Sequence, residues 1–368
     1  MRLSCNREKL WEATANVIRA VSSKSSIAAL EGILLRAQGG RLSLTGYDLE
    51  TGIFTDIEAR IAEEGEIVLN AKLFSEIIRS LPEDTLNLAA DEKKMTVITS
   101  GPAEFNILGF DPSEYPELPG MGETKALGID AVVLKGMIRQ TIFAVAQNDI
   151  KPVHTGVLFE LGDGKIRLVA VDGFRLALRD EALADAPEMR FIVPGKALTE
   201  ISRLISDNTE NIKIDLGTRH ILFELSGYTV ISRLLDGDFL DYRRSVPEGY
   251  KTQIRLNVRQ TAECIERISL LINDRMKSPV RCVLQENKVL VSCVTAAGKA
   301  NDELAAEIEG ELLEIGFNNR YFLDALKNCE CDELLLQING ALSPMKLVPC
   351  DGDSFLFLVL PVRLKAGT

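Results

Sequence analysis

Apolar and polar residues follow two different spacings along this chain of 368 residues. Most segments alternate with period two, as expected for strands that bury one face, and turn residues such as Gly, Asn and Asp separate them. Six segments instead place apolar residues three and four apart, which predicts amphipathic helices. The predicted helices cover residues 7–21, 72–80, 131–146, 196–206, 258–272 and 319–328. This mixture predicts an α+β fold with the helices on one face of the sheets.

The second, fourth and sixth predicted helices share a charge pattern that recurs at an interval of 124 residues, from Lys72 to Lys196 and from Lys196 to Arg320. Each has two basic residues seven positions apart, with an acidic residue four positions after the first. The basic pairs are Lys72 with Arg79, Lys196 with Arg203, and Arg320 with Lys327, and the acids are Glu76, Glu200 and Asp324. This period predicts three repeated domains, at residues 1–120, 121–248 and 249–368.

The elements within the three repeats correspond as well. Asn6, Asp130 and Asn257 precede the first helix of each repeat, where their side chains can accept from free backbone amides. Between the two helices, strand patterns cover residues 32–45, 156–171 and 280–294, and the closing strands cover 86–107, 212–235 and 334–360. The apolar stripes of the second helices contain Phe74, Ile77, Ile78 and Leu81; Leu198, Ile201, Leu204 and Ile205; and Phe322, Leu323 and Leu326.

Positive charge is concentrated on the predicted helices of an acidic protein. These helices contain thirteen basic and seven acidic residues, whereas the whole chain has a net charge of −12. One explanation is a solvated helix face with i,i+4 ion pairs, worth about 0.2–0.5 kcal/mol each. The threefold recurrence favours a second explanation, a shared cationic surface that binds a polyanion through its backbone charge.

No residue pattern predicts a catalytic residue, a metal site or a cofactor. His154 and His220 are too few for a hydrolytic or metal centre, and seven irregularly spaced cysteines predict reduced thiols in a cytoplasmic protein. Walker A and dinucleotide motifs do not occur. A metal-dependent nuclease is the strongest enzyme hypothesis, but the sequence has no carboxylate cluster to support it. The longest apolar stretch, residues 355–362, is shorter than the roughly 20 residues of a membrane-spanning helix, and the N-terminus lacks a signal-peptide core.

Four segments in order resemble one family: LSLTGYDLE at 42–50, VDGFRL at 171–176, DFLDYRR at 238–244 and LPVRL at 360–364. With the threefold repeat, they make the chain similar over essentially its full length to the bacterial DNA polymerase III beta subunit, the β sliding clamp. The resemblance implies three clamp domains, each with two helices inside and antiparallel sheets outside. It implies that two chains close a head-to-tail ring around duplex DNA, as a non-catalytic processivity factor in the cytoplasm, associated with the nucleoid.

The partners implied by the resemblance are a second copy, double-stranded DNA bound without sequence preference, the polymerase III alpha subunit, the clamp loader, and other polymerases and repair proteins that carry short clamp-binding peptides. No membrane is implied. The dimer contacts map to Phe105 and Ile107 on one edge and to Leu271 and Ile272 on the other, with ordinary core packing as the alternative. The residues expected to face DNA are Lys24, Lys72, Arg79, Lys135, Arg139, Asn148, Lys196, Arg203, Arg320 and Lys327.

The resemblance also implies a cleft for partner peptides with a Leu/Phe anchor and a polar lead residue. The cleft residues are His154, Val171, Gly173, Phe174, Arg175, Leu176, Leu240, Arg244, Ser245, Asn318, Tyr321, Leu342, Pro344, Leu358, Leu360, Pro361, Val362, Arg363 and Leu364. Core packing is the alternative for the aliphatic members, but Arg175, Arg244 and Arg363 argue against it, because arginine is rarely buried.

Several positions depart from the family pattern. His154, Leu240, Leu360 and Val362 differ from the residues usual in the family, and Lys365–Thr368 extends past the usual terminus. These departures concern the choice of peptide. The alternative function is a protein-only scaffold, whose basic helices form salt bridges without encircling DNA.

Overall fold

The structure is a computed structural model that describes residues 1–148, 150–184, 186–272 and 278–364. The described residues form six α-helices and 25 strands. The chain divides into two compact units, one of Met1–Val132 with Lys196–Leu234, the other of Val133–Gly195 with Leu235–Thr368. Each unit therefore combines parts of two predicted repeats, and the predicted domain boundaries remain predictions.

The order of elements is nearly the same in the three repeats: a strand, a helix, four strands, a second helix and three closing strands. The first contains β1 Arg2–Asn6, α1 Arg7–Val17, β2 Gly32–Gln38, β3 Arg41–Tyr47, β4 Thr51–Glu63, β5 Gly65–Asn70, α2 Ala71–Ser80, β6 Thr85–Ala90, β7 Met95–Ser100 and β8 Ala103–Leu108. The second contains β9 Lys125–Asp130, α3 Ala131–Ile142, β10 Gly156–Gly162, β11 Lys165–Val171, β12 Arg175–Ala182, β13 Met189–Pro194, α4 Gly195–Leu204, β14 Asn211–Leu216, β15 His220–Leu225 and β16 Tyr228–Arg233. The third has one additional short strand, β21, and contains β17 Thr252–Asn257, α5 Val258–Ser269, β18 Val280–Gln285, β19 Lys288–Thr295, β20 Gly298–Ala305, β21 Glu307–Gly310, β22 Glu314–Phe317, α6 Asn319–Lys327, β23 Glu333–Ile338, β24 Met345–Pro349 and β25 Phe355–Val359.

The described strands form three sheets, and every strand pair is antiparallel. A 12-stranded sheet runs in the order β8-β7-β6-β1-β4-β16-β15-β14-β9, with β2, β3 and β5 attached beside β4. A nine-stranded sheet runs in the order β13-β10-β11-β12-β25-β24-β23-β17-β21, and a four-stranded sheet in the order β20-β19-β18-β22. The predicted α+β class is therefore confirmed. Two strand pairs cross repeat boundaries, β4 with β16 and β12 with β25.

The second helix of each repeat buries the face that its sequence predicts. Phe74 and Ile78 of α2, and Leu198 and Ile201 of α4, are fully buried. Leu323 of α6 is only half-buried, which differs from the prediction. The basic residues of these helices are exposed, so the amphipathic pattern decides which side packs against the sheets.

Three helices end at least three residues earlier than their sequence pattern predicts. The pattern continues to residue 21 for α1, to 146 for α3 and to 272 for α5, but the α-helices end at residues 17, 142 and 269. Ala144 N donates to Thr141 O at 3.0 Å, and Ile272 N donates to Ser269 O at 2.9 Å. These bonds join residues three apart, so the chain tightens into 3₁₀-type turns beyond the end of each α-helix.

Asparagine side chains begin four of the helices. Asn6 accepts from Lys9 N, Asn257 from Gln260 N, and Asn70 from Leu73 N, all at 3.0 Å, and Asn318 caps α6. The predicted caps at Asn6 and Asn257 are therefore confirmed. Each cap satisfies a backbone amide that has no partner within its helix.

We expect Asn70→Ala to lower the free energy of unfolding by about 1 kcal/mol, because Leu73 N loses its acceptor. Urea unfolding followed by circular dichroism measures this change. Asn70→Asp is the control, since its carboxylate keeps the acceptor and interacts favourably with the helix dipole. Equal destabilisation by both substitutions would contradict the capping role.

Candidate functional site

The floor of the predicted peptide cleft is built on the pair β12 and β25. Leu176 lies opposite Leu358 in this pair, and both are buried, as is Val171 at the end of β11. They belong to one apolar cluster that also contains Phe239 and Tyr242. These three aliphatic members of the predicted set are therefore core residues that support the surface above them.

Several residues of the predicted cleft expose large apolar side chains. Phe174 is 58% exposed, Leu342 65%, and Leu240 and Leu360 each 39%. The Phe174 ring stacks on Tyr321 with a centroid distance of 6.0 Å. Leu360 N donates to Phe174 O at 2.9 Å, so the aromatic pair and the C-terminal segment are held together. Exposed apolar groups on one surface are typical of a binding site for another chain.

The C-terminal segment forms one wall of this surface. Val362 N donates to Gly316 O at 2.7 Å, and Pro361 makes an isolated bridge to Phe317 at the end of β22. Pro361, Val362 and Leu364 are half-buried, whereas Arg363 is exposed. The extension Lys365–Thr368 lies outside the described residues.

Arg175 is buried, which corrects the argument that an arginine here must lie at the surface. Its side chain is 7% exposed. Its Nε donates to Asp172 Oδ2 at 2.8 Å, and its Nη1 donates to Asp324 Oδ2 at 2.5 Å. Its guanidinium carbon lies 4.7 Å from the ring centre of Tyr321 and 5.6 Å from that of Phe143. Two carboxylates and two rings compensate the charge, which is what burial of an arginine requires.

Asp324 is a site residue that the cleft prediction missed. It joins α6 to the start of β12 through Arg175 and so holds the surface that carries Tyr321 and Phe174. The signal in the sequence was its place as the third copy of the repeated acid. Glu200, the second copy, is also largely buried and binds Arg19 and Arg203. The repeated acid therefore compensates arginines in two of the three repeats.

The turn before Arg175 depends on two residues. Asp172 Oδ1 accepts from Phe174 N at 2.9 Å and from Arg175 N at 3.0 Å. Gly173 has φ of 89°, a left-handed conformation that glycine adopts without strain. This turn aims Phe174 outward and Arg175 inward.

The remaining predicted cleft residues differ in their exposure to solvent and in their contacts. His154 packs edge-on against Phe239 at 5.7 Å, and burial, together with nearby Lys151, lowers its pKa. Arg244 is exposed and pairs with Asp241 at 2.9 Å. Asn318 is the α6 cap, so its side chain already accepts from Arg320 N and Tyr321 N. Ser245 is exposed and Pro344 is half-buried.

A cavity of about 440 Å³ connects two of the predicted sites. Phe174, Asn318 and Tyr321 of the predicted cleft line it, together with Asn148 and Arg320 of the predicted DNA-facing set. The two sets of residues therefore meet at the start of α6.

The predicted DNA-facing cations differ in their ionic partners. Four of them form salt bridges: Lys196 with Asp48, Arg203 with Glu200, Lys327 with Glu266, and Arg139 with Glu330. Lys24, Lys72, Arg79 and Arg320 are exposed, and within the described ranges no salt bridge involves them. Lys135 and Asn148 are exposed as well. The Lys327–Glu266 and Arg139–Glu330 pairs are exposed, and such pairs are worth about 0–1 kcal/mol. In the other two pairs the acids, Asp48 and Glu200, are largely buried.

The predicted dimer residues lie on β8 and directly after α5. Phe105 and Ile107 are half-buried on β8, and their neighbour Leu108 is 67% exposed. Leu271 and Ile272 follow α5 and are also half-buried, after Leu270, which is 85% exposed.

The described residues include no group of three or more His, Cys, Asp or Glu side chains arranged to hold a metal ion. All seven cysteines are free thiols, and burial raises the pKa of Cys5 to about 12, which keeps that thiol protonated. Over the same part of the chain, no helix has the length and apolar character needed to cross a bilayer.

Comparison with known proteins follows the same division into three. The chain matches the N-terminal, central and C-terminal domains of the DNA polymerase III beta subunit at residues 1–119, 128–241 and 243–363. It is 36% identical to the beta sliding clamp of Bacillus subtilis (strain 168) over 377 aligned positions, covering 99% of this chain and 100% of that protein.

Solved structures agree with this match. The DNA polymerase sliding clamp from Bacillus subtilis superposes with a TM-score of 0.95 at 35% identity, covering 99% of this chain and 100% of that one. The DNA polymerase III beta subunit from Thermotoga maritima superposes with a TM-score of 0.91 at 27% identity, with the same coverage. The chain therefore belongs to the DNA polymerase III beta subunit family, the β sliding clamps.

Proposed function

We propose that two copies of this chain join head to tail, β8 of each to β20 of the other, and close a ring of six repeats around duplex DNA. One observation carries this proposal. Among the described strands, β8 pairs only with β7, and β20 pairs only with β19, whereas both chain-internal repeat boundaries are closed by strand pairs. Free edges of this kind are templates for another strand. Each chain offers one edge of each kind, so two copies close the ring.

The ring acts as a processivity factor for DNA polymerase and catalyses no reaction itself. Encirclement keeps the polymerase on its template without tight binding, because the DNA cannot leave a closed ring sideways. The twelve helices line the opening, and their cations contact phosphates without reading bases. Its site of action is DNA in the interior of the cell, and we infer that it associates with the nucleoid.

Weak phosphate contacts suit this mechanism. Lys72, Arg79 and Arg320 have no acidic partner among the described residues, so phosphate can bind them directly. Lys327 and Arg139, whose acidic partners are exposed, exchange a carboxylate for a phosphate. Both kinds of contact are labile in salt, which lets the ring slide along the duplex.

The cleft holds partner proteins by a short peptide. A Leu or Phe anchor packs on the exposed Phe174, Leu342 and Leu360, while a polar lead residue bonds near Asn318 and Tyr321. The partners are the polymerase III alpha subunit, the clamp loader, and other polymerases and repair proteins. Leu360 and Val362 are branched and therefore stiffer than methionine, so they narrow the set of peptides that fit.

We expect the dimer, placed on a circular duplex by an ATP-driven clamp loader, to remain bound until the circle is cut. Retention is measured by gel filtration of labelled protein on nicked circles before and after a restriction enzyme cuts them once. The ring slides off the linear ends, so the bound fraction falls after cutting. Equal retention on circles and linear DNA would contradict encirclement and favour direct binding.

We expect Arg320→Ala to reduce the dependence of duplex binding on salt more than Lys327→Ala does. Each phosphate contact contributes about 0.9 to the slope of log K against log salt. Arg320 has no salt bridge within the described residues, whereas Lys327 Nζ binds Glu266 at 2.6 Å and already lies beside a negative charge. Fluorescence anisotropy of a labelled duplex over a salt series gives both slopes. Equal changes in the two variants would refute the role given to the unpaired cation.

We expect Asp324→Asn to weaken binding of a Gln-led Leu-Phe peptide about tenfold, which is about 1.4 kcal/mol. The amide removes the charge that compensates Arg175, so the surface carrying Tyr321 and Phe174 loses its fixed position. Isothermal titration measures the affinity, and sedimentation verifies that the dimer persists. Glu181→Gln is the matched control, because it neutralises the partner of Arg179 on the same strand. A similar loss in both variants would mean that Asp324 acts only through general stability.

A further inference from the structure

Three of the seven thiols are accessible to solvent, and they lie near one another in the third repeat. The other four are buried, whereas Cys329, Cys331 and Cys350 are partly exposed. Cys329 and Cys331 lie between α6 and β23, and Cys350 directly follows β24. Leu334 of β23 pairs with Pro349 of β24, so all three thiols lie near the same end of this strand pair. Exposure makes them the thiols that an oxidant in solution reaches first.

The sulfur atoms of Cys329 and Cys331 are within hydrogen-bonding reach of each other. Cys329 Sγ also lies 3.2 Å from Ala325 O in the last turn of α6. Residues two positions apart span at most about 7 Å between their Cα atoms, so a modest bend of the chain brings them into the range that a disulfide needs. The two thiols therefore have the proximity that a disulfide bond requires.

The segment that carries these two thiols is hydrogen-bonded at its ends and not in between. Cys329 N donates to Leu326 O at 3.2 Å, and beyond the pair Asp332 O accepts a backbone hydrogen bond at 2.8 Å. Within the described residues, the backbone of Glu330 and Cys331 makes no hydrogen bond to another backbone group. A disulfide can therefore close here without breaking a helix or a strand pair.

The contact between the two sulfurs makes their reactivities different. The Cys329 thiol donates to the Cys331 sulfur and lowers the pKa of Cys331, although burial and the charge of Asp332 act in the opposite direction. The same hydrogen bond, together with burial, raises the pKa of Cys329. Burial also raises the pKa of Cys350. Because the thiolate is the nucleophile, Cys331 is the most reactive of the three, while Cys329 and Cys350 keep their protons.

We propose that Cys331 and Cys329 form a redox-sensing dithiol whose substrates are hydroperoxides. Cys331 is the nucleophile, and Cys329 is the thiol that converts the oxidised product into a disulfide. Disulfides in the reducing interior of a cell are usually transient and catalytic or redox-sensing, which fits a pair of thiols that are close but unbonded. A dithiol reductant reverses the reaction, so the site returns to its starting state once the oxidant is removed.

The reaction with hydrogen peroxide takes two steps. The Cys331 thiolate attacks one peroxide oxygen, so that an S–O bond forms, the O–O bond breaks, and the departing hydroxide takes up the proton that Cys331 released. The Cys329 sulfur then attacks the sulfur of the Cys331 sulfenic acid. An S–S bond forms, the S–O bond breaks, and the second hydroxide leaves as water with the proton of Cys329. The two thiols lose two electrons and two protons, and one peroxide becomes two molecules of water.

The experiment treats the reduced full-length protein with one equivalent of hydrogen peroxide, blocks the remaining thiols with iodoacetamide and maps tryptic peptides by mass spectrometry. Trypsin releases the peptide 328–346, which contains Cys329 and Cys331, and the peptide 347–363, which contains Cys350. We expect the peptide 328–346 to become lighter by two hydrogens, to carry no alkyl group, and to recover both thiols in dithiothreitol. A disulfide that joins the two peptides instead overturns the assigned pair.

We expect Cys331 to react about tenfold faster than Cys350 in a time course of the same digest, because its thiolate fraction is larger. Cys350→Ser is the matched control, since it removes the third partly exposed thiol and leaves the pair intact. The disulfide within the peptide 328–346 should form in this variant at an unchanged rate, and Cys331→Ser should abolish it. Equal rates for Cys331 and Cys350, or loss of the disulfide in Cys350→Ser, overturn the proposal.

Two substitutions separate the two roles of Cys329. Cys329→Ser keeps a hydroxyl donor for Cys331 but cannot form a disulfide, so the sulfenic acid accumulates and is labelled by dimedone. Cys329→Ala also removes the donor, and labelling slows about threefold as the thiolate fraction of Cys331 falls. Equal labelling rates in the two variants overturn the donor role, and dimedone labelling of the unmodified chain in place of the disulfide overturns the resolving role. Neither reaction involves a second copy or DNA, so these results are independent of the proposed ring.

Discussion

Backbone hydrogen bonding across repeat boundaries is the constraint on which this molecule depends. Each repeat ends in a strand whose outer edge needs a partner, and β4 with β16 and β12 with β25 supply that partner twice within the chain. In the proposed ring the third boundary has its two edges on β8 of the first repeat and β20 of the third. An unpaired row of amides and carbonyls is a template for another strand, and in the proposed ring a second copy supplies the partner for both edges. In this proposal, assembly depends on the pairing of free strand edges as well as on complementary side chains.

The same strand pairing also supports the surface proposed to bind partner peptides. β12 and β25 form a repeat boundary, and their buried residues Leu176 and Leu358 lie beneath the surface proposed to bind peptides. Arg175 begins β12 and binds Asp324 of α6, so one buried ion pair ties the strand junction to the helix that carries Tyr321. A buried pair of this kind contributes little net stability, but it fixes geometry, because removing one partner leaves the other charge uncompensated. The shape of the proposed peptide surface therefore depends on the strand junction and on the Arg175–Asp324 ion pair.

Basic residues are concentrated on the helices of this protein. The chain is acidic overall, while its helices carry a surplus of basic residues. Several of these cations are held by nearby acids, as Lys196 is by Asp48, and others are unpaired among the described residues. A protein that gripped phosphates through many unpaired cations would bind tightly and move slowly. A surface of weak and exchangeable contacts, combined with closure around the duplex, gives retention without immobility.

Local rules were enough to predict much of this architecture. Asparagine caps, apolar stripes and the 124-residue interval depend on neighbouring residues and on helical or strand period, so the α+β class and the buried faces of α2 and α4 were predictable. The resemblance to a family supplied the cleft residues, whose role as a site remains a prediction. Helix ends were predicted too late, because hydrophobic period continues through the 3₁₀-type turns that close α1, α3 and α5.

Other properties depend on contacts between residues far apart in the chain. Arginine is usually exposed to solvent. Arg175 is nevertheless buried, because Asp324, 149 positions away, and the Tyr321 ring contact its guanidinium group. The spacing of residues along the chain does not predict which cations form ion pairs or which strands pair at their edges, because these partners are also far apart in the sequence. Charge compensation and strand partnership are pairwise long-range properties, and only the folded chain decides which pairs form.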